Sequence, residues 1–339
     1  MEKKKNLCMI TTLYSLLEYL LYASEKEINE TTYIFENWMP DSITSHFENK
    51  YKLPLFNKRY QWDRKYCRIW LRYYKWRYLP NFDDYNLIAH DHLFYSSVFI
   101  GKRKYTMLED GPRIFSQMSV DKQNNKYAFR RYLRFQKIRK LLFGPIDGYL
   151  LGTHPQCTDL IVTSMDIADQ LKGKNIHYFN LFEAWKNASN EKKQFILKVF
   201  GISEQLIQQI GDRDIVYFTD PFCNDGVLSL DESRDLNRRL LSKYDTERMV
   251  IKPHPRDFNS FYQEDFPNVI VLPSFVPSQL LDMIGLRFKK AVTVVSSSVF
   301  NMDYPIEVDW YGLKVHPKIV KAYREGENVP EGVNRCTLD

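Results

Sequence analysis

Met249-Val250-Ile251-Lys252-Pro253-His254-Pro255-Arg256 is the stretch whose reading decides the fold. Met249 to Ile251 is a short apolar run with the length and composition of a buried strand. Two prolines, which cannot donate sheet hydrogen bonds, end it abruptly. His254 therefore falls at the carboxyl end of a strand, bracketed by Lys252 and Arg256, and in open α/β sheets that end is where ligands bind. A second strand is expected from Ala291 to Val295, and it runs directly into Ser296-Ser297-Ser298. Cations and hydroxyls at two strand ends are the groups that hold a phosphate.

The surrounding sequence supports a parallel sheet. Ile215 to Thr219, Arg248 to Ile251, Val269 to Leu272 and Ala291 to Val295 are short β-rich runs, with helical patterns at Asp231 to Tyr244 and Ser278 to Leu286. That alternation belongs to a doubly wound α/β domain. Upstream, Leu7 to Ile10 ends in Thr11-Thr12 and is followed by apolar residues at helical spacing from Leu13 to Tyr22, a strand-turn-helix opening. Thr11 or Thr12 is the expected helix cap, leaving backbone N–H groups that can meet an anion. Further strands are expected at Thr32 to Phe35, Tyr85 to Ala89, Lys104 to Leu108, Asp159 to Ser164 and Ile176 to Phe179. Two domains follow, 1–205 and 206–339, with the change placed in the helical stretch Lys192 to Gly211.

Composition narrows the function classes. The 339 residues are 44% hydrophobic and 15% aromatic, enough for two cores of ordinary size. No apolar run approaches the roughly 18 residues that span a bilayer, and the start lacks a secretory h-region, so a cytoplasmic protein is expected. The five cysteines form no C-x-x-C pair and are expected to be plain thiols. Neither a G-x-G-x-x-G nor a P-loop is present, which disfavours the common dinucleotide and ATP enzymes.

The formal net charge is +6, and two blocks hold much of the basic content. Lys58 to Tyr78 carries Lys58, Arg59, Arg64, Lys65, Arg68, Arg72, Lys75 and Arg77, with Trp62, Tyr66, Trp70 and Tyr73 on one helical stripe. Such a helix either buries its stripe or docks on an anionic membrane surface. Nucleic acid ranks last, because no DNA- or RNA-binding fingerprint accompanies the block. The second block runs from Tyr127 to Phe143, with Arg130, Arg131, Arg134, Lys137, Arg139 and Lys140.

Candidate chemistry sits at other strand ends too. Glu109-Asp110-Gly111 puts two carboxylates on a turn, where repulsion favours a base, although acidic residues before glycine are also ordinary turn chemistry. Asn224-Asp225-Gly226 offers another carboxylate before glycine. His90 and His92, two residues apart, are spaced like metal ligands, but no third ligand stands at a telling spacing and a metal is not expected.

In that order, Glu109-Asp110-Gly111, Lys252-Pro253-His254-Pro255 and Ser296-Ser297-Ser298 resemble the acidic-acidic-Gly, His-Pro and Ser-Ser motifs of bacterial sialyltransferases. Thr11-Thr-Leu-Tyr-Ser-Leu-Leu, Asp91-His92 and Thr219-Asp-Pro-Phe are similar to glycosyltransferase family 52, whose members include lipooligosaccharide and capsule sialyltransferases. The resemblance implies a GT-B fold of two Rossmann-like domains facing across a cleft. It also implies CMP-sialic acid as donor, inversion at the anomeric carbon, no cofactor and no metal. Carried onto this sequence, Asp110 with Glu109 beside it is the base and His254 protonates or hydrogen-bonds the departing phosphate. Ser296, Ser297 and Ser298 hold that phosphate, with Lys252, Pro253 and Arg256 adjoining and Thr11 and Thr12 at the first helix. Gln279 stands where the family often has an acidic residue for ribose. Asp225 is the alternative base. The acceptor is expected to be a terminal sugar, galactose first, on a lipid-linked surface glycan reached from the inner face of the plasma membrane, and an oligomer is left open. The rivals are a relative using CMP-Kdo or a UDP-hexose, and a non-catalytic protein binding anionic membrane surfaces or nucleic acid through its basic blocks.

Overall fold

A computed structural model describes residues 4–53, 63–79, 82–93, 96–128, 151–257, 259–323 and 329–338. It divides into two compact units, Met1–Lys193 and Gln194–Asp339, the break falling inside the helix Asn190–Val199. Each unit is built on a parallel sheet.

The first unit contains β1 (Asn6–Ile10), β2 (Thr32–Phe35), β3 (Lys50–Lys52), β4 (Asn86–Ala89), β5 (Tyr105–Met107), β6 (Cys157–Val162) and β7 (Asn175–Tyr178). Their order is β3-β2-β1-β4-β5-β6-β7, every pairing parallel. The chain starts in the middle, winds out to β3, then returns to the other side of β1. The switch point therefore lies between β1 and β4. Leu7, Met9, Ile34, Leu87, Met107 and Leu160 fill the core beneath it. Parallel strands need covered faces on both sides, which is why β1 and β2 are apolar almost throughout rather than alternating.

The second unit repeats the scheme with β8 (Ile215–Phe218), β9 (Met249–Lys252), β10 (Ile270–Val271), β11 (Lys290–Thr293), β12 (Glu307–Trp310) and β13 (Asn334–Arg335). The order is β10-β9-β8-β11-β12-β13, again all parallel, with the switch between β8 and β11. Tyr217, Met249, Ile251 and Val292 form its core with Leu236, Leu240 and Leu241 of the helix Leu230–Leu241. Capping boxes at Thr12, Ser24 and Ser229 start three of the crossover helices by satisfying backbone N–H groups that lack intrahelical partners.

The expected strands are all present. Three more, β3, β12 and β13, have sequences too polar or too short to announce themselves. Asp309, buried in β12, is neutralised by Lys290 at 3.1 Å and hydrogen-bonded by Tyr244 and Asn334. A helix does occupy Asp63–Tyr78. Lys58, Arg59 and Trp62 of that basic segment, and the whole second block from Arg130 to Lys140, lie outside the described residues. No described helix is long and apolar enough to cross a membrane.

Candidate active site

In the first unit the strand ends of β1, β4, β5 and β6 converge. Thr12 caps the helix Leu13–Tyr22, accepting from the Ser15 N–H at 3.0 Å, and its hydroxyl donates to the Asp110 carbonyl at 2.8 Å. The cap thus pins the Glu109-Asp110 turn beside β1. The two carboxylates then part. Glu109 is turned inward and buried, its Oε2 accepting from Thr163 Oγ1 at 2.6 Å and from Tyr14 Oη at 3.1 Å, and burial pushes its pKa up to about 7. Asp110 turns the other way and meets His92 Nε2 at 2.6 Å, with 12% of the His92 side chain and 18% of that of Asp110 exposed.

Burial alone would raise Asp110, but the hydrogen bond and charge of His92 outweigh it and hold the carboxyl below its usual range. The same pair holds His92 above the ordinary histidine value against burial. Asp110 is therefore a carboxylate at neutral pH, while Glu109 beside it straddles neutrality. Beneath them Glu18, fully buried next to both, is held protonated by burial and by their charge. Among the described residues, most buried polar side-chain atoms without a hydrogen-bond partner belong to Thr11, Glu18, His90, Asp91 and His92. Buried polar groups are normally paired, so this concentration marks a built polar site rather than packing.

The second unit presents its chemistry at the β8/β11 switch. β9 and β11 flank β8, so their ends lie about 10 Å apart at the usual strand spacing. Asp257 is the buried hub of the turn after β9. Its carboxylate accepts from Tyr262 Oη at 2.7 Å, from Asn259 and from Thr219 Oγ1, while its own N–H donates to the His254 carbonyl at 2.8 Å. Thr219 Oγ1 in turn accepts the His254 N–H at 3.0 Å. The ring follows from this. His254 Nδ1 accepts the Arg256 backbone N–H at 3.1 Å, so the neutral imidazole carries its proton on Nε2. Burial, with Arg256 and Lys252 nearby, lowers the His254 pKa to about 4, which keeps that ring neutral.

The bracketing cations part company. Lys252 is buried with its ammonium turned onto the Pro253 and Ser274 carbonyls, and burial lowers its pKa to about 7. Arg256, two residues after His254, is exposed and pairs with Asp225 at 2.7 Å. Gly226 turns the chain there at φ +73, a conformation that favours glycine. Beyond β11, the Ser296 N–H donates to Thr293 Oγ1 at 2.9 Å and its hydroxyl accepts from the Ser298 N–H at 3.4 Å, folding the serines into a tight turn with Ser297 exposed. Asp220, raised to about 7 by burial, receives the Val295 N–H at 3.1 Å and ties the end of β8 to this turn. Asn301 Nδ2 donates to Ser278 Oγ at 3.1 Å, which brings the buried Gln279 next to the same loop.

A groove of about 610 Å³ opens elsewhere, at the amino-terminal edge of the first sheet, lined by Asn6, Asn86, Arg103, Lys104, Asp159 and His177. Three of its charged groups are already engaged: His177 sits 2.9 Å from Asp159, and Arg103 donates to the Phe82 and Tyr85 carbonyls. The carboxyl strand ends, with their perturbed ionisable groups, are the better candidate for chemistry.

The sequence model of glycosyltransferase family 52 matches residues 22–319. The chain belongs to that family. A family 52 chain is a glycosyltransferase, and this one is 27% identical over 323 residues, 94% of its length and 98% of the other's, to an uncharacterized protein of Haemophilus influenzae. Among solved structures it is similar to an α/β-galactoside α-2,3-sialyltransferase from Photobacterium phosphoreum, with a TM-score of 0.54, 11% identity and 95% of each chain covered. It is also similar to the GT-B domain of a sialyltransferase from Photobacterium damselae, with a TM-score of 0.51, 13% identity and 94% and 96% covered. The two parallel sheets of the family 52 chain are thus those of a GT-B fold.

Sequence reasoning singled out Asp110 and His254, together with the His92 and Arg256 that set their protonation, but not the buried partners that hold the surrounding turns. Thr219 belongs to the Thr219-Asp-Pro-Phe stretch, which did not foretell its bond to the His254 N–H, and Asp257 carries no signal beyond an acid three residues after His254. Tyr14, Glu18 and Thr163 meet Glu109 only through folding.

Proposed function

We propose that this family 52 enzyme is an inverting sialyltransferase that moves sialic acid from CMP-sialic acid to a terminal sugar, galactose first, of a bacterial capsule or lipooligosaccharide glycan. The observation that carries the reading is a division of labour. One unit holds a carboxylate ionised by a histidine at a sheet switch, and the other holds a neutral imidazole with its Nε2–H left to donate, at a switch that also bears three serines. Asp110 takes the proton of the acceptor hydroxyl as the acceptor oxygen bonds to the anomeric carbon on the face opposite CMP. The bond from that carbon to the phosphate oxygen breaks, and its electron pair leaves with CMP. His254 donates a hydrogen bond to the phosphate as this charge develops, and Ser296, Ser297 and Ser298 share it. Gln279 is the ribose contact through its amide.

A single leaving phosphate suits this small set of donors, and the chain has no glycine-rich loop of the kind that cradles a pyrophosphate. Neither a cofactor nor a metal enters these steps. Asp225 is the less favoured base, since Arg256 already engages it. Membrane docking at the inner face of the plasma membrane draws support from the helix Asp63–Tyr78. There Trp76 is 73% exposed and Tyr73 50% exposed, their ring centroids 5.9 Å apart, and Arg72 and Arg77 are exposed on the same helix.

A donor screen in EDTA tests the reading. Purified protein is given CMP-sialic acid, CMP-Kdo and UDP-hexoses with a galactose-terminated acceptor. Transfer from CMP-sialic acid alone is expected; transfer from another donor, or loss of all turnover on chelation, would sink it.

A further inference from the structure

We propose that His90, His92 and Asp110 form a binding site for one divalent transition-metal ion of the zinc and cobalt class, and that the bound ion holds the enzyme inactive. The sequence supplies two imidazoles at i,i+2. The fold supplies the missing third ligand from another strand, because β4 and β5 are parallel neighbours and their ends carry His90–His92 and Asp110 side by side. One ligand atom from each residue lies within 4.8 Å of the other two. His90 is fully buried, and neither ring nitrogen makes a hydrogen bond of ordinary geometry, with only looser approaches to the Met9 and Leu108 backbone. His92 Nδ1 is likewise buried without a partner.

Two imidazoles and a carboxylate suit zinc, cobalt, nickel or iron far better than magnesium or calcium, which prefer all-oxygen sites. Ligands about 2.1 Å from a tetrahedral ion stand about 3.4 Å from one another, so small side-chain rotations close the triad, with solvent as the remaining ligand. The partial exposure of His92 and Asp110 gives an ion a path in. An ion bound to both replaces the proton they share and releases it to solvent. Asp110 is then a ligand and cannot receive the acceptor's proton. This inhibitory half rests on the assignment of Asp110 as base; the binding half does not.

Cobalt titration of the EDTA-stripped, full-length protein tests both halves. Visible absorption should show one cobalt per chain, and His90→Gln and Asp110→Asn should each raise the half-saturating concentration at least a hundredfold. At ten times half-saturation, sialyl transfer by the wild type should fall about tenfold and recover on adding EDTA. His90→Gln, compared with its own turnover in EDTA, should be insensitive to cobalt. If His90→Gln does not fold, cobalt absorption by Asp110→Asn decides the ligand set. The site is refuted by no stoichiometric binding, or by equal binding in the variants, and transfer measured in EDTA then stands unaffected. Stoichiometric cobalt that leaves turnover unchanged refutes inhibition and also removes Asp110 as base.

Discussion

In the proposed mechanism His254 could serve the departing phosphate in two ways, and its surroundings favour one. With a pKa of about 4, charging the ring at pH 7 costs about 4 kcal/mol, trimmed to about 3 by solvent around the partly open ring. The neutral ring needs no such step, since its Nδ1 is already occupied by the Arg256 N–H and its proton sits on Nε2. A hydrogen bond to a charged phosphate contributes about 1.5–3 kcal/mol, so His254→Ala should lower kcat/KM about 10- to 150-fold. His254→Gln places an amide N–H close to where Nε2–H was and should stay within about tenfold of the wild type. CMP release from CMP-sialic acid, followed from pH 5 to 8.5, is the assay. The wild-type kcat/KM should show no limb near pH 6.5 that His254→Ala removes, because kcat/KM reports the free enzyme, in which that ring is already neutral. Equal losses of about 10²- to 10⁴-fold in both variants, together with a wild-type limb near 6.5 that both abolish, would show that His254 transfers a proton and would refute this reasoning.

Asp110→Asn should cost about a thousandfold in turnover while Asp225→Asn, which only releases Arg256, costs less than about tenfold; the reverse ranking moves the base to Asp225. Lys252 titrates in the folded chain at about 7, below its unfolded value, so the unfolded chain binds more protons above pH 7. Its contribution to stability therefore rises with pH from about 7 towards the unfolded pKa of about 10.4, and urea unfolding at pH 7 and 9.5 should find that rise flattened in Lys252→Met. Charge reversal at Arg72 and Arg77 should weaken sedimentation with anionic vesicles at least about fivefold per residue, and Trp76→Ala should weaken it further, with transfer to a soluble acceptor unchanged. Equal vesicle binding by these variants removes the helix from the membrane surface.

The fold was legible where local chemistry is loud. Met249–Ile251 and Ile215–Phe218 are central parallel strands buried on both faces, so their apolar runs are continuous and their ends are punctuated by Pro253 and Pro221. Lys50–Lys52 and Asn334–Arg335 are edge strands, polar because solvent reaches them, and nothing in their residues distinguishes them from loop. The placing of Asp110, His254 and Ser296 was legible for a related reason, since each follows closely on the carboxyl end of a strand that could be read.

Their states were not legible. The sequence by itself determined an α/β chain with a histidine after one strand, serines after another and an acidic pair after a third, because strand periodicity and proline are local properties. Tertiary structure alone decided that Glu109 turns inward to Tyr14 and Thr163 while Asp110 meets His92, that Lys252 is spent on carbonyls, and that His254 is neutral with its proton outward. Protonation depends on burial and on partners brought together from distant parts of the chain, and no spacing along the sequence encodes either. The same is true of the third ligand beside His90 and His92, which lies far along the chain and becomes their neighbour only when β4 and β5 pair.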